Sequence, residues 1–326
     1  MMLEAGYDVL GVDSDLYAQC TYGHAPVEVS EIRKDIRDIS VADCTGVEAV
    51  VHLAGLSNDA LGDFDPRLTF EINTNAALGL AETAKKAGAS RFVFSSSCSI
   101  YGAAGEDLVD ERGIENPVTP YGQSKVLVEQ QLRQLADDDF SPVSLRNATA
   151  YGCSPRIRFD LVLNNLVAWA YTTGRVHIKS DGTPWRPIVH VADIAQAMLL
   201  CLSAPREVIH DRVFNVGDTN ENYQVRDLAG IVREIVPNTD IDFAEDSGPD
   251  KRCYRVNFDK FKTTFPDYHP VWNARTGAQE LFENYKKFGL SIEDFEGPRY
   301  RRISHIKRLI ETDRLGEDLR WKDASS

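Results

Sequence analysis

Short apolar segments alternate with helical stretches over the first half of the chain, and this alternation constrains the fold more than any other feature. The candidate strands are residues 8–12, 49–53, 91–96 and 143–146. Between them, residues 66–87 and 120–136 carry apolar side chains at helical spacing. The strands are almost continuously apolar, which is typical of strands covered by helices on both faces. The pattern predicts an α/β fold with a Rossmann-type, doubly wound parallel sheet.

The second half of the chain has a different texture, with short strands, loops containing Pro and Gly, and isolated helices. We therefore predict a Rossmann-like domain over residues 1–150, a smaller C-terminal α/β lobe over 151–288 that partly returns to the first domain, and a charged extension over 289–326. The opening residues 1–7 look like the end of a first helix that runs straight into a second strand. The first strand and the glycine-rich loop of such a sheet are thus expected to be missing. A start codon assigned too late accounts for this better than a real loss, because the downstream segments are intact.

Composition limits the possible partners. The chain has 36 basic and 50 acidic side chains, giving a formal net charge of −14, which argues against nucleic acid and against an anionic membrane surface. The six cysteines are widely spaced and form no Cys-x-x-Cys pair, so we predict reduced thiols and no metal site. No apolar run is long enough for a membrane helix, and the N-terminus does not resemble a secretory signal. These features predict a soluble cytoplasmic protein that uses no metal.

The strongest chemical signal is Tyr121 followed four residues later by Lys125, at the start of the second predicted helix. Residues four apart share a helix face, so the ammonium can lie near the phenol. A neighbouring cation stabilises the phenolate, which makes the tyrosine usable as an acid and a base. The serine-rich end of the strand before this helix can supply a hydroxyl to hold the reacting oxygen, and Ser97 is our candidate. We predict Tyr121, Lys125 and Ser97 as the catalytic residues.

With these motifs in place, the chain resembles the extended short-chain dehydrogenase/reductases, and specifically the nucleotide-sugar epimerase/dehydratase family. The resemblance implies that NAD is the cofactor and that the first domain binds it. It implies a carboxylate at Asp13 that binds the adenosine ribose and favours NAD over NADP, and a structural role for Asn73. The further cofactor-binding residues that it implies are Asp35, Ile36, Leu53, Ala54, Gly55, Ser95, Tyr121 and Lys125.

The same resemblance implies a nucleotide-diphosphate sugar as the substrate and a homodimer built from two helices, the one that carries Tyr121 and the one around residues 69–85. Arg186 and Arg252 would contact the diphosphate, because a guanidinium fork suits paired phosphate oxygens. The substrate-binding residues that it implies are Ser97, Ser99, Thr149, Asn165, Arg186 and Arg252.

The residues beside Ser97 discriminate between reactions of the family. Sugar 4,6-dehydratases of this family carry Asp-Glu where this chain has Cys98 and Ser99, so dehydration is disfavoured. Cys98 is one residue out of register with the catalytic cysteine of the 3,5-epimerase/reductases, and we interpret it as a packed side chain. The resemblance favours a 4-epimerase that works through a keto-sugar. A ketoreductase or dehydrogenase that stops after one redox step stays open, as does a non-catalytic nucleotide sensor.

Two departures from the 4-epimerase pattern leave the identity of the sugar open. Thr149 stands where that pattern has Asn, and Pro187 replaces an Asp that follows the arginine.

Overall fold

The structure is a computed structural model, and it describes residues 1–57, 65–105, 107–178, 180–243 and 253–322. The strands are β1 (Leu10–Asp13), β2 (Ser30–Arg33), β3 (Ala49–His52), β4 (Arg91–Ser97), β5 (Leu108–Val109), β6 (Ser141–Asn147), β7 (Thr149–Tyr151), β8 (Arg175–Ile178), β9 (Trp185–His190), β10 (Arg212–Val216), β11 (Asn222–Gln224), β12 (Asp240–Phe243) and β13 (Arg255–Val256). The helices are α1 (Pro66–Phe70), α2 (Ala77–Ala87), α3 (Pro120–Leu135), α4 (Val162–Thr173), α5 (Val191–Ser203), α6 (Arg206–Ile209), α7 (Val225–Ile235), α8 (Asp259–Thr264), α9 (Ala274–Phe288), α10 (Ile292–Glu296) and α11 (Arg302–Glu311).

A parallel sheet in the order β10-β6-β4-β3 forms the centre of the first domain. Side chains of β4 alternate between its two faces. Phe92 and Phe94 pack with residues of α2 and α3, whereas Val93 packs on the other face with residues of α5. Helices therefore cover both faces, and the predicted doubly wound parallel sheet is confirmed.

β1 and β2 form a separate parallel pair. Within the part of the chain that the structure describes, no strand hydrogen-bonds to both β1 and β3. The carboxyl ends of β1 and β3 nevertheless lie together, because Asp13 and Leu53 line one cavity. A ligand at this edge can contact both strand ends.

The predicted helix over residues 66–87 is present, but it is not uniform. A π-helical segment, Glu71–Ala76, separates α1 from α2. Apolar periodicity does not distinguish a π turn from an α turn, so the sequence did not reveal it. Segments of this kind often occur at functional sites, and this one contains the buried Asn73.

The second lobe has its own core, in which α4, α7 and α9 pack together through buried side chains such as Leu166, Leu228 and Leu281. Its small sheet has the order β11-β9-β7. Two residues of the N-terminal segment, Cys20 and Tyr22, belong to the same core. In the other direction, β10 returns to the central sheet beside β6.

The C-terminal extension packs onto the first domain. Ile306 and Leu309 of α11 are buried against Leu56, Leu68 and Ile72. Downstream of α11, the Trp321 indole N–H donates to the Ser14 carbonyl at 2.6 Å. The extension therefore covers the edge of the sheet where β1 and β3 end.

No helix in the described ranges has the length and apolar character needed to cross a membrane. All six cysteines are free thiols. Among the residues that the structure describes, no group of three or more His, Cys, Asp or Glu side chains is placed to hold a metal ion.

Candidate active site

Tyr121 and Lys125 lie one turn apart at the start of α3. Thr119 caps this helix, because its hydroxyl oxygen accepts a hydrogen bond from the Gly122 N–H at 3.2 Å. The Lys125 Nζ lies 5.6 Å from the centre of the Tyr121 ring and donates to the Ser95 carbonyl at 2.7 Å. The structure thus brings the predicted acid–base pair together at the carboxyl end of β4.

Residue 122 allows α3 to approach β4 this closely. A Cβ on Gly122 would lie 3.0 Å from the Pro117 Cβ and 3.1 Å from the Ser99 carbonyl oxygen. Both separations are too short for ordinary packing, so a larger residue would push the start of α3 away from the strand. The position of Tyr121, the preceding residue, depends on this contact.

Lys125 is buried, and its electrostatic surroundings are unusual for a lysine. Burial lowers the pKa of Lys125 to about 8, and the charge of Glu129 acts in the opposite direction by raising it. Glu129 lies one turn further along α3 and accepts hydrogen bonds from Arg146 Nε at 3.1 Å and from Arg146 Nη2 at 2.7 Å. The sequence analysis missed Glu129, although its four-residue spacing from Lys125 was readable.

Several polar side chains lie near the end of β4, and two of them have a buried oxygen without a hydrogen-bond partner among the described residues. The Ser97 Oγ accepts a hydrogen bond from the Ser99 N–H at 3.1 Å. The Ser99 Oγ and the Asn147 Oδ1 are buried and have no hydrogen-bond partner among the described residues. The Asn147 amide nitrogen donates to the Ser95 Oγ at 3.0 Å. Because an unpaired buried polar atom is costly, the Ser99 and Asn147 oxygens are candidates for contact with a ligand.

Cys98 is a packed side chain, as the sequence analysis proposed. It is buried, and its thiol donates to the Arg146 carbonyl at 3.1 Å. Burial raises the pKa of the Cys98 thiol well above its usual value, which disfavours a thiolate nucleophile.

A cavity of about 180 Å³ brings together six of the predicted cofactor residues. Those six are Asp13, Asp35, Ile36, Leu53, Ala54 and Gly55. Ser95, Tyr121 and Lys125 lie at the neighbouring strand end and do not line the cavity itself.

The loop that follows β3 is held in place by Asn73. The Asn73 Oδ1 accepts from the Leu56 N–H at 2.7 Å, and its amide nitrogen donates to the Leu56 carbonyl at 3.0 Å and to the Ser124 Oγ at 3.3 Å. Gly55 has φ = +151°, and a Cβ there would lie 2.8 Å from the Asn73 Oδ1. Asn73 therefore links this loop to α3 and has the structural role expected of it. Residue 55 must lack a side chain because the Asn73 amide lies against its backbone.

Asp35 caps a short helical turn and is engaged by an arginine that the sequence analysis did not single out. Its carboxylate accepts from Arg37 Nε at 3.0 Å and from Arg37 Nη2 at 2.6 Å. Burial raises the pKa of Asp35, but the hydrogen bonds and charge of Arg37 outweigh it and hold that pKa below its usual value. Asp35 is thus an ionised wall residue, with Arg37 beside it in the same cavity.

Three of the predicted substrate residues, Thr149, Asn165 and Arg186, do not line this cavity. Thr149 begins β7 and pairs with Ile188 of β9. Arg186 of β9 is buried, and its Nη1 donates to the Trp185 carbonyl at 2.8 Å. The small sheet thus places Thr149 near the strand that carries Arg186.

Of the two remaining substrate candidates, the Asn165 amide nitrogen donates to the Phe159 carbonyl at 2.9 Å, so that donor is already used within the protein. Arg252 lies outside the described residues.

Arg158, like Glu129 and Arg37, was not predicted from the sequence. Its Nη1 donates to the Ser57 carbonyl at 2.8 Å and to the Ser57 Oγ at 3.1 Å, and Ser57 lines the cavity. The charges of Asp160 and Tyr121 both act on Arg158 and raise its pKa against the effect of burial. Only the folded chain shows that Arg158 contacts the cavity wall at Ser57 and is near enough to Tyr121 to feel its charge, because these residues are far apart in sequence.

Comparison with known proteins shows the family of the chain. The model of the NAD dependent epimerase/dehydratase family matches residues 1–217. The chain belongs to this family. The resemblance stated from the motifs is confirmed, and so is NAD as the cofactor at the level of the family.

Relatives of this epimerase/dehydratase chain include a UDP-glucose 4-epimerase from Erwinia amylovora, 30% identical over 207 residues that cover 58% of this chain and 61% of that enzyme. Human UDP-glucose 4-epimerase is 27% identical over 69% of this chain and 74% of that enzyme. The structure of MoeE5 in complex with UDP-glucuronic acid and NAD has a TM-score of 0.72 and 26% identity, covering 88% of this chain and 93% of that one. The chain spans about 60% of the length of the first curated relatives that it matches.

Proposed function

We propose that this chain is an NAD-dependent nucleotide-sugar 4-epimerase that acts through a keto-sugar intermediate. The observation that carries the proposal is the buried Lys125 ammonium 5.6 Å from the Tyr121 ring, at the strand end where Ser97 and Ser99 present hydroxyls. This arrangement suits the removal and return of a proton on a sugar hydroxyl.

The cavity beside β1 and β3 fits one end of a dinucleotide. Asp13 at the end of β1 would bind the ribose hydroxyls, while Ile36 and Leu53 offer apolar contacts and residue 55 exposes backbone. When bound, NAD would supply the acceptor and the donor of a hydride.

The chain's own residues would handle the proton. Tyr121 takes the proton of the sugar hydroxyl and later returns it, and Lys125 stabilises the phenolate in between. Ser97 holds the sugar oxygen by a hydrogen bond. Arg186 would bind the diphosphate of the substrate, with Arg252 as a further candidate.

The residues beside Ser97 favour epimerisation over dehydration. Dehydration needs an acid and a base near carbons 5 and 6 of the sugar, and the two residues after Ser97 are the buried Cys98 and the hydroxyl of Ser99. Epimerisation needs only the proton pair, a hydroxyl and room for the keto-sugar to turn. The named relatives are 4-epimerases, which supports the same choice.

The homodimer, the cytoplasmic location and the division at residue 150 stay predictions. α2 and α3 would form the dimer interface, and α3 carries one exposed apolar side chain suited to it, Leu127.

The proposal is tested by incubating the full chain with NAD and a panel of UDP-, GDP- and dTDP-sugars, with the reaction followed by NMR. We expect one sugar to convert to its C4 epimer until equilibrium, without net formation of NADH. Net NADH or an accumulating keto-sugar would instead support a dehydrogenase or ketoreductase. Conversion of no sugar, in a protein that still binds nucleotide, would support the non-catalytic sensor.

A further inference from the structure

Arg302 places a half-buried cation of the C-terminal extension in the wall of the cofactor cavity. It is the first residue of α11 and lines the cavity together with Asp13 and Gly55. Its guanidinium carbon lies 4.3 Å from the centre of the Tyr17 ring, and its Nη2 donates to the Arg156 carbonyl at 3.3 Å. Neither contact neutralises the charge, and among the described residues no carboxylate lies within 4.0 Å of Arg302.

Arg158 lies close to this cation. Its side chain is 17% exposed and is paired with Asp160 at 2.7 Å, while its Nη1 holds Ser57 on the cavity wall. The two guanidiniums are near enough to repel each other: burial lowers the pKa of Arg302, and the charge of Arg158 lowers it further. Arg158 thus has Asp160 as its ion-pair partner, whereas Arg302 has no such partner among the described residues.

A partly buried guanidinium without an ion-pair partner is costly unless an anion compensates it. A diphosphate is suited to this place, because it carries two negative charges and offers paired oxygens to a guanidinium fork. The N-terminus of α11 has no side-chain cap, so the helix dipole adds to the positive character of the helix end that carries Arg302.

We propose that Arg302 and Arg158 form a diphosphate subsite that binds the diphosphate of the dinucleotide. The inference rests on the proposed function for the identity of that dinucleotide. The alternative source of a diphosphate is the sugar nucleotide, but Arg302 shares its cavity with Asp13, Ile36 and Leu53 and not with Thr149 or Arg186. The C-terminal extension is therefore part of the cofactor site.

The experiment measures the dissociation constants of NAD, UDP and adenosine for the full chain by calorimetry. Arg302→Met keeps an apolar stem over Tyr17 and removes the charge. We expect this variant to bind NAD at least about tenfold more weakly, as the loss of a charge-assisted hydrogen bond implies. Its affinities for UDP and adenosine should stay within about twofold of wild type. Arg302→Lys should bind NAD with intermediate affinity, since it keeps the charge and loses the fork.

Arg299→Met is the matched control, because Arg299 belongs to the same extension but is 55% exposed and pairs with Asp294. It should bind NAD like wild type. Retained adenosine binding in Arg302→Met shows that the cavity is still folded. If Arg302→Met also loses adenosine binding, Arg302→Lys decides the question. The proposal then stands only if Arg302→Lys binds NAD more weakly than wild type and binds adenosine as well as wild type does.

Unchanged NAD affinity in Arg302→Met would overturn the subsite, and weakened UDP binding with intact NAD binding would assign it to the substrate instead. The absence of NAD binding in wild type would also overturn it. If NAD binding depends on Arg302 but the wild-type protein converts no sugar, the proposed function is contradicted and the diphosphate subsite is still supported.

Discussion

Lys125 connects the proton chemistry of the site to a buried ionic network. Its ammonium faces the Tyr121 ring on one side, and one helical turn away lies Glu129, which is itself paired with Arg146. The spacing of Tyr121 and Lys125 was readable because α-helical geometry fixes it. The pairing of Arg146 with Glu129 could not be predicted, because the two residues lie on different elements, β6 and α3, and no local sequence pattern indicates such a contact.

The first prediction concerns pH. Lys125 has a pKa of about 8, so it is charged below that value and becomes neutral above it. Since neutral lysine no longer stabilises phenolate, kcat/KM should fall as the pH rises through about 8. Glu129→Gln removes a negative charge that favours the protonated lysine, and it should move this alkaline limb to lower pH.

The control for this pH profile is Glu82→Gln, because Glu82 is a solvent-exposed carboxylate on α2. Its alkaline limb should coincide with that of wild type. A limb in Glu129→Gln that stays in place, or moves to higher pH, would contradict the assignment of the limb to Lys125.

At the scale of elements, α3 is placed by a close contact at Gly122. Gly122→Ala introduces a Cβ 3.0 Å from Pro117 and 3.1 Å from a backbone oxygen of residue 99. We expect this substitution to destabilise the protein by about 1–3 kcal/mol, as overpacking does, and to lower kcat because Tyr121 moves with the helix.

Gly230→Ala in α7 is the matched control for this helix contact, since a Cβ there meets nothing within 4 Å. It should stabilise the protein by about 0.5–1 kcal/mol, because glycine is unfavourable inside a helix. Urea denaturation measures both effects. Equal stability changes in the two variants would show that the contact at residue 122 does not constrain α3.

The docking of α11 is a second test at this scale. Leu309 is buried against Leu56, Leu68 and Ile72, so Leu309→Ala should cost about 2–5 kcal/mol in urea denaturation. The exposed Val271 provides the control, and Val271→Ala should change stability by less than about 0.5 kcal/mol. A cost in Leu309→Ala as small as the control's would mean that the extension is not packed as described.

Most elements could be predicted from the sequence, whereas contacts between distant elements could not. Apolar periodicity located α3 and the long helical stretch of α1 and α2 to within a residue or two, because burial on one face imposes that period. The same periodicity did not show what α11 packs against. Its apolar residues contact Leu56 and Ile72, which are far away in the sequence. The many charged residues of the segment suggested a solvent-exposed helix instead.

At the scale of the whole molecule, a strongly acidic chain places two arginines, Arg37 and Arg302, in the wall of one cavity. Asp13 and the apolar cavity residues were predicted from their resemblance to family motifs. Arg158 and Arg302 were not, because Arg158 lies outside the stretches of the second lobe that match the family pattern and the extension matches none. The site is thus assembled from three parts of the chain, and its anion-binding side was the part that local patterns could not reveal.

The oligomeric state of the chain can be tested by a substitution in the predicted dimer interface. We expect a homodimer through α2 and α3, because the resemblance implies it and Leu127 is 40% exposed on α3. Leu127→Arg should convert the dimer to a monomer in sedimentation experiments, since two like charges would face each other across a two-fold interface. Glu207→Arg, at an exposed position of α6 outside the proposed interface, is the control for a charge change alone. A monomeric wild type would contradict this prediction.

The most direct test of the central claim measures turnover and binding in Tyr121→Phe. If Tyr121 transfers the proton, this variant should lose at least about 100-fold in kcat while its affinity for the sugar nucleotide stays within about twofold. Tyr171→Phe, which removes a hydroxyl from α4 outside the site, should behave like wild type. A Tyr121→Phe variant that keeps its turnover, or that loses substrate affinity in proportion to its activity, would contradict the claim.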